Sequence, residues 1–294
     1  MIPNPLQTVF AIAAALSVQG AAPAEPPKAP RSEPEVLGPS TVSQPDRYEY
    51  CSTLSRDNRT LYIGIEHGNW QSLEAYDWSE TGWTNRRHVL GSPDFNAHDP
   101  YLSADEKRLY FITQARGNAD IAYLPKRADG SWGDPEFLGP EINSPANDYY
   151  TSFTDNGDLY FSSNRSDGDA VDDYNIYVAD AAGNAVRLPS PVNTSAYEGD
   201  PYVARDGSYL IFASNRRNGM GRGDLYLSIS DGVGGWSMPI PFDERVNTKG
   251  HELCPMVSLD GSAFMFTSNK DIRWVSTAII DEMIAEYNQE RGGN

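Results

Sequence analysis

The chain has 294 residues, 39% hydrophobic and 22% charged, which excludes wholesale disorder and allows one large domain or two small ones. Asp and Glu number 41 against 23 Lys and Arg, giving a net charge of -18. A chain this acidic repels phosphate backbones, so neither nucleic acid nor an anionic membrane surface is an expected partner.

Residues 1–24 carry no charged side chain, and Thr8 to Val18 is an unbroken run of apolar and small residues. The Ala22-Pro23-Ala24 that follows has the form read by signal peptidase. This predicts a cleaved export signal over 1–24, although the leader lacks the usual Lys or Arg; a buried helix is the alternative. The run is too short for a permanent membrane anchor. Residues 25–34 read as a Pro-rich linker. The expected mature protein is periplasmic or secreted and monomeric, with no stable membrane insertion.

From residue 35 to 275 the chain repeats itself. Each unit has an acidic residue, often a Pro, then an Asp-Gly or equivalent turn, then an alternating apolar strand. The fourth copy reads Glu198-Gly-Asp-Pro-Tyr, Asp206-Gly207, then Leu210-Ile-Phe-Ala-Ser-Asn-Arg216. The turn residues Asp57, Asp105, Asn156, Asp206 and Asp260 stand 48, 51, 50 and 54 residues apart. A second phrase follows in Asp120-Ile-Ala-Tyr, Asn175-Ile-Tyr-Val, Asp224-Leu-Tyr-Leu and Asp271-Ile-Arg-Trp. A third carries a Trp turn and a last short strand, then Ile142-Asn-Ser, Val192-Asn-Thr or Val246-Asn-Thr. Four short strands per fifty residues describe a small antiparallel sheet that cannot bury both faces alone. Radial stacking solves that problem, so the expected fold is an all-β propeller of four-stranded blades.

The Pro…Asp-Gly…Phe-x-Ser-Asn-Arg…Asp-Ile-Tyr succession resembles the WD40-like PD40 repeats of bacterial exported propellers, related to the propeller of the Tol-system protein TolB. The resemblance covers roughly 35–275 and implies the fold strongly. Similar repeats serve as periplasmic scaffolds, as gating domains of serine peptidases and in glycan-degrading loci. Such propellers usually have six blades; five units can be counted here, with six possible if a degenerate unit is hidden.

The fifth unit stops after Asp271-Ile-Arg-Trp, and Glu35-Val-Leu-Gly matches its missing last strand. The N-terminal strand is therefore expected to close the ring and remove exposed sheet edges. Over 276–294, Ile279, Ile280, Met283, Ile284 and Tyr287 share one side of a predicted helix. Cys51 and Cys254 each lie two residues after an acid, in the same slot of the first and last units. An oxidising compartment makes them a disulfide candidate across the closure seam, with two buried thiols as the alternative.

No G-x-S-x-G elbow, H-E-x-x-H, Cys-x-x-Cys or phosphate loop is present, so no separate catalytic module is expected. Glu49, Asp148, Glu198 and Glu252 hold one register, and propeller symmetry would set them around one mouth of the central channel. Two readings are open: a site for Ca²⁺ or a cationic ligand, or pairing of each acid with Arg165, Arg216 or Lys270 of the Ser-Asn-Arg strands. His98 and His251 stand beside the same slot and, with Glu198 or Glu252, would suit Mn²⁺ or Zn²⁺. No cofactor is required by any motif. Loop 166–173, with four Asp, reads as solvated before Ca²⁺-binding, and Arg216, Arg217 and Arg222 are candidates to receive a carboxylate. Trp70, Tyr76 and Trp78 are sugar-stacking candidates or blade packing. The expected role is non-catalytic binding of an envelope protein or an oligosaccharide; the alternative is a metal-dependent polysaccharide lyase or hydrolase working at the channel mouth.

Overall fold

A computed structural model describes residues 24–165, 174–217 and 219–292. The predicted leader, apart from Ala24, and the acidic loop 166–173 lie outside these residues. The described residues form five four-stranded antiparallel sheets and one helix. Blade 1 is Tyr48–Leu54, Thr60–Glu66, Gln71–Ser79 and Gly82–Leu90. Blade 2 is His98–Leu102, Arg108–Thr113, Asp120–Pro125 and Glu136–Phe137. Blade 3 is Asp148–Phe153, Leu159–Ser163, Asn175–Ala179 and Ala185–Arg187. Blade 4 is Glu198–Val203, Tyr209–Ser214, Asp224–Ile229 and Ile240–Pro241. Blade 5 joins Glu252–Val257, Ala263–Ser268 and Asp271–Ser276 to the N-terminal strand Glu35–Val36. The innermost strands of successive blades touch, and the fifth touches the first, so the ring is closed.

The closing strand is short, and its anchor follows it. Glu35 pairs with Trp274 and Val36 with Arg273. Leu37 N–H then donates to the Ile272 carbonyl at 2.8 Å, and the Leu37 side chain is fully buried. Removing a buried Leu costs its transfer energy plus that of the cavity left behind. Leu37→Ala is therefore expected to cost about 3 kcal/mol, read as a lower urea midpoint with an unchanged slope. A destabilisation below about 0.5 kcal/mol would mean that the seam is held elsewhere.

The repeated Asn-Ser/Thr phrase has a structural explanation. Asn143 accepts from Ile121 N–H and donates to the carbonyls of Ile121 and Leu138, fastening the outer edge of its blade to the third strand. Asn193 and Asn247 repeat this with Ile176 and Leu188, and with Leu225 and Phe242. The next residue reaches the following blade: Ser144, Thr194 and Thr248 each donate from N–H and hydroxyl to Asp148, Glu198 and Glu252. The phrase is the stitch between blades.

The helix Ala278–Gly292 buries Ile279 and Ile280, while Met283 and Ile284 pack partly against the same core. No described helix is long and apolar enough to cross a membrane.

Candidate functional site

Three consecutive positions at the start of each innermost strand decide what reaches the channel. The first are Glu49, Ala97, Asp148, Glu198 and Glu252. The second are Tyr50, His98, Tyr149, Gly199 and Leu253. The third are Cys51, Asp99, Tyr150, Asp200 and Cys254, and all five have positive φ, between 45° and 57°. Strand pairing slips there in every blade. Such a bulge breaks the two-residue alternation and re-aims side chains. Left-handed backbone costs a non-glycine residue roughly 1–3 kcal/mol, and such residues concentrate at functional sites.

The expected ring of acids does not form at the mouth. Glu49, Asp148, Glu198 and Glu252 are each 0% exposed. Asp148 is bound by Arg165 at 2.7 Å and Glu198 by Arg216 at 3.2 Å. Glu49 takes Arg47 from its own strand entry. Glu252 accepts from Thr248 and Ser268, while Lys270 stands over the Tyr48 ring, so the predicted Lys270 pairing is absent. A strand of unbroken alternation would aim the first and third positions the same way; the bulge separates them. The acids face into the wall between blades and the third-position side chains meet on the axis.

On the axis Cys51 and Cys254 form a disulfide, with Cα atoms 4.9 Å apart. Asp99 Oδ1 lies 2.9 Å from the Cys51 sulfur, and Asp200 Oδ2 accepts from Cys254 N–H at 3.1 Å. The Tyr150 hydroxyl donates to the Pro255 carbonyl at 2.8 Å. Asp99 and the two cysteines are close enough to share a metal ion, but sulfurs bonded to each other leave no thiolate to hold one.

Above this floor is a cup with two adjoining hollows that share Tyr149, of about 300 and 250 Å³. Its rings form a continuous arc. Tyr48–Tyr50, Tyr50–His98, His98–Tyr149, Tyr149–Tyr174 and Tyr174–Tyr197 have centroids 5.4, 6.2, 5.9, 5.4 and 5.9 Å apart. Tyr197 closes the arc because blade 4 has Gly199 in the second position. A Cβ there would fall 2.1 Å from the Tyr197 hydroxyl. Burial holds the phenols of Tyr50, Tyr149, Tyr174 and Tyr197 above their ordinary pKa, so they remain neutral.

His98, 7% exposed, lies in the cup with Nδ1 3.2 Å from Asp99. His251 lines neither hollow; it is exposed, and its backbone bridges to Gly223. The two histidines are not brought together in the cup. Burial, then the neighbouring Asp99, push the Asp200 carboxyl up to about 7, against the pull of Cys254 N–H and His98. Arg216 is occupied by Glu198, Tyr76 is buried, and the Trp78 indole packs on Trp83 and donates to the Glu25 carbonyl. Asp200, Tyr50, Tyr149, Tyr174 and Tyr197 are site residues that the sequence reading passed over. The signal was available: counting two residues beyond the first position in every unit, as for the cysteines, leads to Asp99 and Asp200.

No family model and no curated protein sequence matches the chain. Solved structures do. A protein assigned as TolB from Agrobacterium tumefaciens is 19% identical, with 81% of this chain and 78% of that one covered and a TM-score of 0.51. TolB from Acinetobacter baumannii is 14% identical over 80% of this chain and 56% of its own length, with a TM-score of 0.53. A thermostable family-43 glycoside hydrolase is 10% identical over 82% and 91%, with a TM-score of 0.50. The likeness is one of fold. The propeller has the architecture of these proteins, and its cup must be read from its own residues.

Proposed function

We propose that this chain is an exported binding module that holds its ligand, a group of an envelope protein or an oligosaccharide, in the aromatic cup without transforming it. The observation that carries the reading is the arc from Tyr48 to Tyr197 standing over Asp99 and Asp200. Pockets that bind ligands combine aromatic walls with a few placed polar groups. The disulfide beneath them braces the floor and suits an oxidising compartment. The TolB propellers support the reading at the level of fold.

The test is a set of thermal melts of residues 25–294 with neutral oligosaccharides, acidic oligosaccharides and amines, repeated on Tyr149→Ala. A ligand at 100 times its Kd stabilises by about 2.7 kcal/mol, so a bound class is visible. The expected result is a shift with one class that Tyr149→Ala abolishes. A flat response to all three, or a shift that Tyr149→Ala leaves intact, rejects the cup as the binding site.

One observation favours a second reading. Burial and the neighbouring Asp99 push the Asp200 carboxyl up to about 7, a carboxyl able to act as a general acid of the kind a glycoside hydrolase uses, and a glycoside hydrolase shares the fold. Release of reducing ends from a bound oligosaccharide, lost in Asp200→Asn, would make the module an enzyme.

A further inference from the structure

The cup is one-sided in its chemistry. Asp99, Glu66, Gln71 and Gln114 line the hollow beside Tyr50 and His98, and Asp200 lines its neighbour. Among the described residues, Asp99 has His98 Nδ1 at 3.2 Å, and no Lys or Arg pairs with Asp99, Asp200 or Glu66. The Oε1 atoms of Gln71 and Gln114 are shielded and accept no hydrogen bond. Buried acceptors are normally satisfied, and those that are not call for an explanation. The neutral tyrosine rings present electron-rich faces that attract cations. At the rim this attraction is already in use, with Lys270 Nζ 5.8 Å from the Tyr48 centroid.

From this surplus of acceptors and ring faces we infer that the ligand enters the cup as an alkylammonium cation, with Asp99 and Asp200 as counter-charge and Tyr50, Tyr149, Tyr174 and Tyr197 as walls. The inference rests on the binding reading above and names the chemistry of the group bound. A lysine side chain of a protein partner and a free amine such as choline share that chemistry.

The experiment uses the oxidised chain, residues 25–294, and isothermal titration with three probes. Choline represents a free amine, Nα-acetyl-lysine methylamide a peptide-borne one, and 3,3-dimethylbutanol is the neutral isostere of choline. Either cation, or both, is expected to bind at least tenfold tighter than the isostere, and which is tighter names the source. Asp200→Asn is expected to lose about tenfold in cation affinity, and Tyr149→Phe, which keeps the ring face, to lose less than threefold. Circular dichroism melts confirm that both variants fold; Glu66→Gln at the rim supplies a second charge deletion if Asp200→Asn does not. Affinity should also fall as the pH drops through 7 and Asp200 takes up its proton. Asp99, His98, Tyr48, Tyr150, Tyr197 and the Cys254 N–H all act on that carboxyl.

Equal binding of the isostere, or no binding of either cation, overturns the inference. If an oligosaccharide still shifts the melt through Tyr149 in that case, the binding reading survives alone; if nothing does, both fall.

Discussion

Replacing Cys51 and Cys254 together by alanine is expected to lower stability by about 4–5 kcal/mol in the chain-entropy picture of a cross-link. The bond spans 203 residues, so it constrains almost the whole ring in the unfolded chain. In a domain of this size, 1 kcal/mol corresponds to roughly 2–4 °C, so the melting temperature should fall by roughly 8–20 °C. Reduction of the wild-type protein by a dithiol should reproduce that fall, and adding the dithiol to the double variant should change nothing further. Both cysteines are nearly inaccessible, 2% exposed, so reduction should be slow unless the ring opens. A double variant that melts within about 3 °C of wild type would mean that the N-terminal strand and Leu37 suffice to close the ring.

The second large effect lies in the wall between blades. Asp148→Ala is expected to cost about 3 kcal/mol, because it strips the fully buried carboxylate from a largely buried guanidinium. Arg165 would lose its 2.7 Å contact, and Ser144 N–H and hydroxyl would lose their acceptor. Unpaired buried groups bear their full desolvation cost, which is why breaking such a pair costs more than the pair contributes. Arg165 keeps the Ile142 and Glu141 carbonyls and its stacking on Phe161 and Tyr177, which limits the loss. Chemical denaturation of Asp148→Ala and Asp148→Asn measures this directly. The double variant Asp148→Asn/Arg165→Met should recover part of the loss, since an apolar replacement of the whole pair removes the stranded charge. Ligand affinity in the surviving folded fraction should stay at wild-type level, because Asp148 does not face the cup. An Asp148 variant that kept its stability but lost ligand would return this acid to the channel mouth.

These two predictions separate roles that the sequence presents together. The acid and the cysteine of each terminal unit lie two positions apart, and regular alternation would send them the same way. Positive φ at Cys51 and Cys254 undoes that. Left-handed backbone at Cys or Tyr has no residue signature of the kind glycine provides at Gly207 and Gly261. The bulge was therefore invisible in single residues, and the acids, which repeat most regularly, were the natural suspects for the mouth. Their regularity has another cause: Asp148, Glu198 and Glu252 each receive the stitch from the preceding blade, and in blades 3 and 4 the acid also holds an arginine two residues past its own second strand.

By itself the sequence determined the blade. Turn chemistry and alternation are local, and five copies at a spacing near fifty specify five small sheets that must stack to bury both faces. It also determined the closure, since the strand missing from the last unit stands at residues 35–38. Tertiary structure alone decided what the channel holds. Tyr174 comes from a loop before a third strand, Gln114 from the end of a second, and Tyr197 turns inward only because Gly199 leaves room. Distant residues share a cup because the ring brings five strand entries to one axis, and a fivefold bulge chooses which side chain from each entry faces it.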